Sequence, residues 1–158
     1  SVESDKNWYN KVKNISSNME TKKFKYFFVD MNTQPNSLGY PGKLSTNKNR
    51  ISYSDCIYKL SIDEVKKIDL ILIDGRYRVA CALKCHGVIT NECLIAFDDF
   101  LNRDNYKVVL DYFDIIQKTK DNRMAILRKK KKKVPKNLIE KYEDIGYPYF
   151  YPDKRANS

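Results

Sequence analysis

This chain has no run of about 18 apolar residues, so no helix in it is expected to cross a bilayer. No charged-then-apolar leader with a small-residue cleavage site opens it, and the expectation is a cytoplasmic or otherwise intracellular protein. The four cysteines, Cys56, Cys81, Cys85 and Cys93, show no paired C-x-x-C spacing, which argues against a thiolate metal clip and against a redox pair. They read as reduced core thiols. There is one histidine, His86, and it falls at the end of a helical segment rather than at a strand tip, so it reads as a capping or packing residue. No internal repeat is found.

What is present fits one ordinary domain: 158 residues, of which 42% are hydrophobic, enough for a single core. The formal charge of +10 invites a nucleic-acid reading, but the six consecutive basic residues from Arg128 to Lys133 supply +6 of it. An anionic-surface or nucleic-acid binder working through residues 128–133 therefore stands as an alternative that is not favoured.

The periodicity alternates strand and helix. Val2 and Glu3 end a strand; Ser4 or Asp5 caps a helix bearing Trp8, Val12 and Ile15 at helical spacing. Phe24 to Asp30 is aromatic and β-branched, as a buried strand should be. Met31 to Arg50 carries the turn signals Gln34-Pro35 and Tyr40-Pro41-Gly42 and reads as a long loop. Short helical pieces over 54–60 and 61–67 follow, the second with Ser61 and Glu64 as a capping box. Ile68 to Ile73 is a nearly continuous apolar run closed by Asp74-Gly75, the pattern of a central parallel strand buried on both faces. The next helix places Val79, Ala82, Leu83 and His86 on one face and is expected to stop at Gly87 in a left-handed cap.

Glu92 to Phe97 is another strand, delivering Asp98-Asp99. A helix from about Asp104 to Phe113 shows Tyr106, Val109, Leu110 and Phe113 as a core-facing stripe. Segments 114–119 and 123–128 flank the turn Lys120-Asp121-Asn122 and form an antiparallel hairpin. A short helix from Lys136 to Ile145 and an extended tyrosine-rich tail complete the chain.

Alternation of this kind implies an α/β, Rossmann-like, doubly wound and mostly parallel sheet, in which ligands sit beyond the carboxyl ends of the strands. Those ends hold Glu3, Asp30, Asp74 and Asp98-Asp99. The strings Val2-Glu3-Ser4-Asp5 with Trp8, then Gly39-Tyr40-Pro41, then Asp74-Gly75-Arg76-Tyr77-Arg78-Val79-Ala80-Cys81-Ala82-Leu83-Lys84 resemble a methyltransferase-like family with a "VE-S-D-x-x-W" strand end and a "DGRFRVACALK" segment. The closing hairpin, too, is similar to that of class I S-adenosylmethionine-dependent methyltransferases.

The resemblance covers residues 1 to about 128, leaving 129–158 as a basic, tyrosine- and proline-containing tail. It implies that Glu3 accepts the ribose hydroxyls of S-adenosylmethionine beside Ser4, that Asp30 and Met31 lie near the adenine, and that Asp74 faces the methionine end or the acceptor. Asp74 and Asp98 are the catalytic candidates, and Arg76 and Arg78 the candidates to hold an anionic substrate. In some methyltransferases of this fold acids at these strand ends bind magnesium, which makes Asp74, Asp98 and Asp99 a candidate metal set. The acceptor implied is a small molecule or a glycan hydroxyl, and oligomeric state is left open. The family's first strand, with its glycine-rich turn, should precede Glu3. The expectation is therefore a fragment of a competent enzyme, inactive alone, with a non-catalytic relic of the fold as the other reading.

Overall fold

The computed structural model describes residues 1–17, 25–33, 41–42 and 44–144. Gln34-Pro35, Gly39, Tyr40, Phe24 and the tyrosine-rich tail from Ile145 onward lie outside them.

The elements run β1 (Val2–Glu3), α1 (Lys6–Ser17), β2 (Phe27–Phe28), α2 (Asn47–Ser54), a 3₁₀ turn (Asp55–Lys59), α3 (Ile62–Val65), β3 (Leu70–Ile73), α4 (Arg78–Val88), β4 (Leu94–Phe97), a 3₁₀ segment (Asp104–Asp111), β5 (Phe113–Lys118), β6 (Ala125–Lys129) and α5 (Lys136–Glu143). They form two sheets. β1 and β2 pair in parallel, while the larger sheet has the order β3-β4-β6-β5, with β3 and β4 parallel and β6 antiparallel to both neighbours. The mixed α/β architecture with a closing hairpin is the one the strand and helix alternation predicts.

The core lies between the larger sheet and α4. Ile73, Ile95, Phe97, Ala125 and Leu127 project from the strands against Val79, Ala82 and Leu83, and Phe100, Tyr106 and Val109 close one end. Burying this many large side chains is the main source of stability, at about 25 cal/mol per Å² of apolar surface removed from water. His86 is part of it: Nε2 donates to the carbonyl of Lys130 at 3.0 Å and the ring stands edge-on to Phe113, as expected of a packing residue. All four cysteines are free thiols, with Cys56, Cys85 and Cys93 buried.

Several expectations are corrected. β3 is an edge strand, not a central one: Leu70 and Leu72 remain 57% and 62% exposed while Ile73 is buried. The stretch read as a long loop contains α2, capped by a reciprocal pair in which Thr46 accepts from the Asn49 amide and the Asn49 side chain accepts from Thr46. An amide in place of Glu or Gln hid that box from the sequence pattern. α4 continues through Gly87 to Val88, and Gly87 is an ordinary helical residue. Tyr106 and Val109 do face the core, but from a tight 3₁₀ segment, and Phe113 belongs to β5. α1 packs through Tyr9, stacked on Tyr26 at 4.7 Å and tilted against Phe28, whereas Trp8 and Ile15 of the expected face are exposed. Its cap is Asp5, whose Oδ1 accepts from Asn7 and Trp8.

The segment after Arg128 is likewise no detached tail as far as Glu143. Tyr142 joins the core, and Glu143 is buried against Lys84 of α4 and Ser54 of α2.

Candidate functional site

The carboxyl ends of β3 and β4 sit side by side. The amide of Asp98 donates to the carbonyl of Ile73 at 3.0 Å, which continues the parallel ladder one step past the strand and brings Asp74 next to Asp98. Arg78, at the start of α4 and almost fully buried, then closes the corner. Its Nε donates to the carbonyl of Gly75 at 2.9 Å and its Nη1 to that of Asp98 at 2.5 Å, while Nη2 lies 3.1 Å from the Asp74 carboxylate. Arg78 is thus a clamp between two strand ends, and the expectation that it holds an anionic substrate is corrected: its fork is spent on the fold.

The acids themselves are compensated. Asp98 accepts from Arg123 at 2.9 Å and lies 3.7 Å from Arg78; Asp99 accepts from Arg103 at 3.0 Å and from Arg123 at 2.8 Å. Three carboxylates therefore meet three guanidiniums. Among the described residues no group of three or more His, Cys, Asp or Glu is arranged to hold a metal ion. The reading of Asp74, Asp98 and Asp99 as a magnesium set does not fit this donor arrangement, because the cation would have to displace arginines already bound to the same oxygens.

The two carboxyls of the pair titrate in opposite directions. Partial desolvation, then the hydrogen bond shared with Asp98, raises Asp74 above the ordinary carboxyl range. Burial also works against an ionised Asp98, but the hydrogen bonds from Arg123 and Asp74 outweigh it and hold Asp98 below that range. Asp74 is thus the member of the pair that takes up a proton first as pH falls, and its side chain, 56% exposed, is the one that can reach a ligand. Asp98, 9% exposed, anchors it.

Beside this corner opens a cavity of about 910 Å³ between the two sheets. Its lining includes the polar residues Glu3, Ser4, Asp5, Asp74 and Arg76 together with Trp8 and Tyr53. Glu3 folds back so that Oε1 accepts from the amides of Ser4 and Asp5, at 2.7 and 2.8 Å, at the start of α1. Its second oxygen takes no hydrogen bond from the described residues, and a carboxylate oxygen with two lone pairs suits a vicinal diol. Asp30 and Met31 do not line this cavity. Asp30 caps its own turn by accepting from Asn32 at 2.7 Å, and Met31 is completely buried in the fold.

Tyr53 is the site residue that the sequence did not announce. It stands over the Asp74-Gly75 turn so closely that a Cβ on Gly75 would lie 2.0 Å from its hydroxyl, which is why glycine is required there. Burial pushes its phenol far above the ordinary range, so it stays a neutral hydroxyl, with the Arg76 amide donating to it. Nothing in a lone Tyr within a polar segment signals this role. Left-handed backbone also gathers at the strand ends: Asn32 after β2, Tyr77 after β3 and Asp99 after β4 have φ of 49°, 52° and 54°. Asn and Asp tolerate that conformation; a tyrosine in it stores strain beside the site.

The basic run is partly structural. Lys129 caps the end of α4 through the carbonyls of His86 and Ile89, and Lys130 donates to the carbonyl of Leu110.

A solved structure, that of a methyltransferase-like protein from Silicibacter pomeroyi, superposes with a TM-score of 0.72 over 90% of this chain and 74% of its own, at 22% sequence identity. The fold is methyltransferase-like. No protein-family pattern matches the sequence, and no curated protein matches it. Among the described residues no helix is long and apolar enough to cross a membrane.

Proposed function

We propose that this chain acts as an S-adenosylmethionine-dependent methyltransferase on a hydroxyl of a small molecule or glycan. The observation that carries the reading is that Glu3 and Asp74, from the carboxyl ends of two strands in a methyltransferase-like fold, line one cavity. Glu3, with Ser4 beside it, would hold the ribose diol through its uncommitted oxygen. When bound, the cofactor supplies a methyl group already activated by a sulfonium.

The chain's own residues then have modest tasks. Asp74, in its ionised form, accepts the proton leaving the acceptor hydroxyl and, once protonated, donates it in a hydrogen bond to the Asp98 carboxylate, which favours the transfer. The neutral Tyr53 hydroxyl and Arg76 flank the approach. Alignment contributes most of the rate, since a displacement at an activated methyl requires little covalent chemistry from the protein. Arg78, Arg103 and Arg123 hold the acidic corner in place and no metal takes part in this scheme.

The test is transfer of a labelled methyl group from S-adenosylmethionine to panels of hydroxylated small molecules and glycans. Turnover that depends on Asp74, with Asp74→Asn slower by about 10²-fold, supports the proposal. A chain that neither binds S-adenosylmethionine nor transfers label overturns the proposal.

A further inference from the structure

The start of α2 gathers positive charge and no counter-charge. Its opening residues are Asn47, Lys48, Asn49 and Arg50, with no acid in the first turn, although a helix N-terminus is the end that favours negative charge. The capping pair of Thr46 and Asn49 satisfies the Asn49 amide, while the helix itself supplies no acceptor for the amides of Asn47 and Lys48. Asn49 also donates to the Asp30 carbonyl at 2.9 Å, and Asn32 to that of Leu44 at 3.3 Å, which fastens this helix start to the end of β2.

Arg50 sharpens the imbalance. Its side chain folds back over that same N-terminus, where Nη1 donates to the Asn47 side chain at 2.9 Å and Nη2 to the Ser45 carbonyl at 2.8 Å. Both acceptors are neutral. The other buried cations, Arg78 and Lys84, have carboxylate partners; Arg50, 1% exposed, has none among the described residues, and its Nε–H donates to nothing. Ser45 is buried as well, and its hydroxyl has no partner. Two unmatched polar groups therefore belong to residues joined by one hydrogen bond, beneath an open helix end. An uncompensated charge in a dry site is heavily destabilising, and the positive end of a helix makes it worse.

We infer that the N-terminus of α2 is a binding site for one phosphate group, held by Arg50 Nε, the Ser45 hydroxyl and the amides of Asn47 and Lys48. A tetrahedral oxyanion offers an acceptor to each of these donors, and its negative charge offsets Arg50 and Lys48 together. Thr46, Asn47 and Lys48 are exposed, so the group enters from solvent. The site stands at the carboxyl end of β2, yet neither Ser45 nor Arg50 lines the cavity of Glu3 and Asp74. The inference rests on α2 and stands whether or not the chain handles a methyl donor.

The experiment is thermal unfolding of the full chain, with sodium phosphate exchanged for sodium chloride at constant ionic strength and pH, and with ethyl phosphate in a parallel series. Phosphate should raise the midpoint saturably, by about 5 °C at a concentration about a hundred times its dissociation constant. Ser45→Ala removes a hydroxyl that has no partner in the fold, so it should leave the midpoint in chloride unchanged and weaken phosphate by about tenfold. Arg50→Lys keeps a charge but lacks the Nε–H, and should weaken phosphate at least as much. Ser45→Ala decides the matter even where that variant does not fold. A matching response to ethyl phosphate assigns the group to a phosphorylated ligand, and a response to inorganic phosphate alone assigns it to the free ion; both support the site. Equal midpoints in phosphate and chloride, or a phosphate response that Ser45→Ala does not alter, would overturn it.

Discussion

Arg78 donates to the main-chain carbonyl of Asp98 across the gap between the ends of β3 and β4, so the first residue of one helix fixes the distance between two strand tips. Both partners are buried, and the same guanidinium also reaches the Gly75 carbonyl. Arg78→Ala should therefore cost about 3 kcal/mol, because it leaves Asp98 and two carbonyls short of a donor in a dry corner. Arg78→Lys should recover only part of that, since an ammonium cannot reproduce the fork. Urea denaturation midpoints of the two variants check both statements.

Gly75 and Tyr53 should show strong coupling. Gly75→Ala forces its methyl against the tyrosine hydroxyl and is expected to cost about 2 kcal/mol. In a Tyr53→Phe background the clash loses its nearest atom, so the penalty for the alanine should shrink even though Tyr53→Phe alone is destabilising. A double-mutant cycle by thermal unfolding reads the coupling directly; additive effects would contradict the close approach.

How much of this corner was legible depended on range. Asp74-Gly75 after an apolar run, Asp98-Asp99 after the next strand, and the hairpin around Lys120-Asp121-Asn122 are local patterns, and the fold carries them where the pattern puts them. The roles of Arg78 and Tyr53 depend on groups distant in sequence, Asp98 for one and the Asp74-Gly75 turn for the other, and no spacing rule encodes those meetings. The failure at β3 is of a different kind. Its composition is that of a central strand, whereas among the described residues it has a strand neighbour on one side, β4. Asp30 and Met31 fall away from the cavity because a strand end can send one residue into the core, as with Met31, and spend the other on its own turn, as with Asp30, as easily as aim them at a ligand.

The pH dependence follows from the opposed shifts of the carboxyl pair. Asp74 is raised in the folded chain, so its contribution to stability is fully present below the ordinary value of 3.8 and is lost as pH rises through its folded value. Asp98 is lowered, so its contribution is present above 3.8 and is lost as pH falls through its folded value. Asp74→Asn mimics the protonated form. The variant should therefore gain stability relative to the parent as pH rises past the folded Asp74 value, and lose that advantage in acid. Chemical unfolding across this range, with carboxyl carbon NMR to assign the titrations, measures the difference.

Lys84 and Glu143 tie α5 to the rest of the fold from buried positions, with Ser54 accepting from Lys84 at 3.0 Å. Glu143→Gln should cost about 2 kcal/mol, less than an isolated buried pair would lose, because Asp55 remains beside the ammonium. Lys84→Met combined with Glu143→Leu should recover most of it, since two apolar side chains need no partner. Burial works against a charged Lys84, but the hydrogen bonds and charges of Asp55 and Glu143 together outweigh it and raise its pKa, so this contribution persists below the ordinary value of 10.5 and fades as pH rises through the folded value. Thermal melts of the single and double variants near neutral pH and in alkali decide the matter.

The central claim is that the cavity between β1 and β3 is a donor pocket built on Glu3. Isothermal calorimetry of the full chain with S-adenosylmethionine tests this most directly. Saturable binding is expected that Glu3→Gln weakens by about tenfold or more, the loss of a hydrogen bond to a charged acceptor, and that added magnesium leaves unchanged. Absence of saturable heat, or equal affinity for the parent and Glu3→Gln, would contradict it.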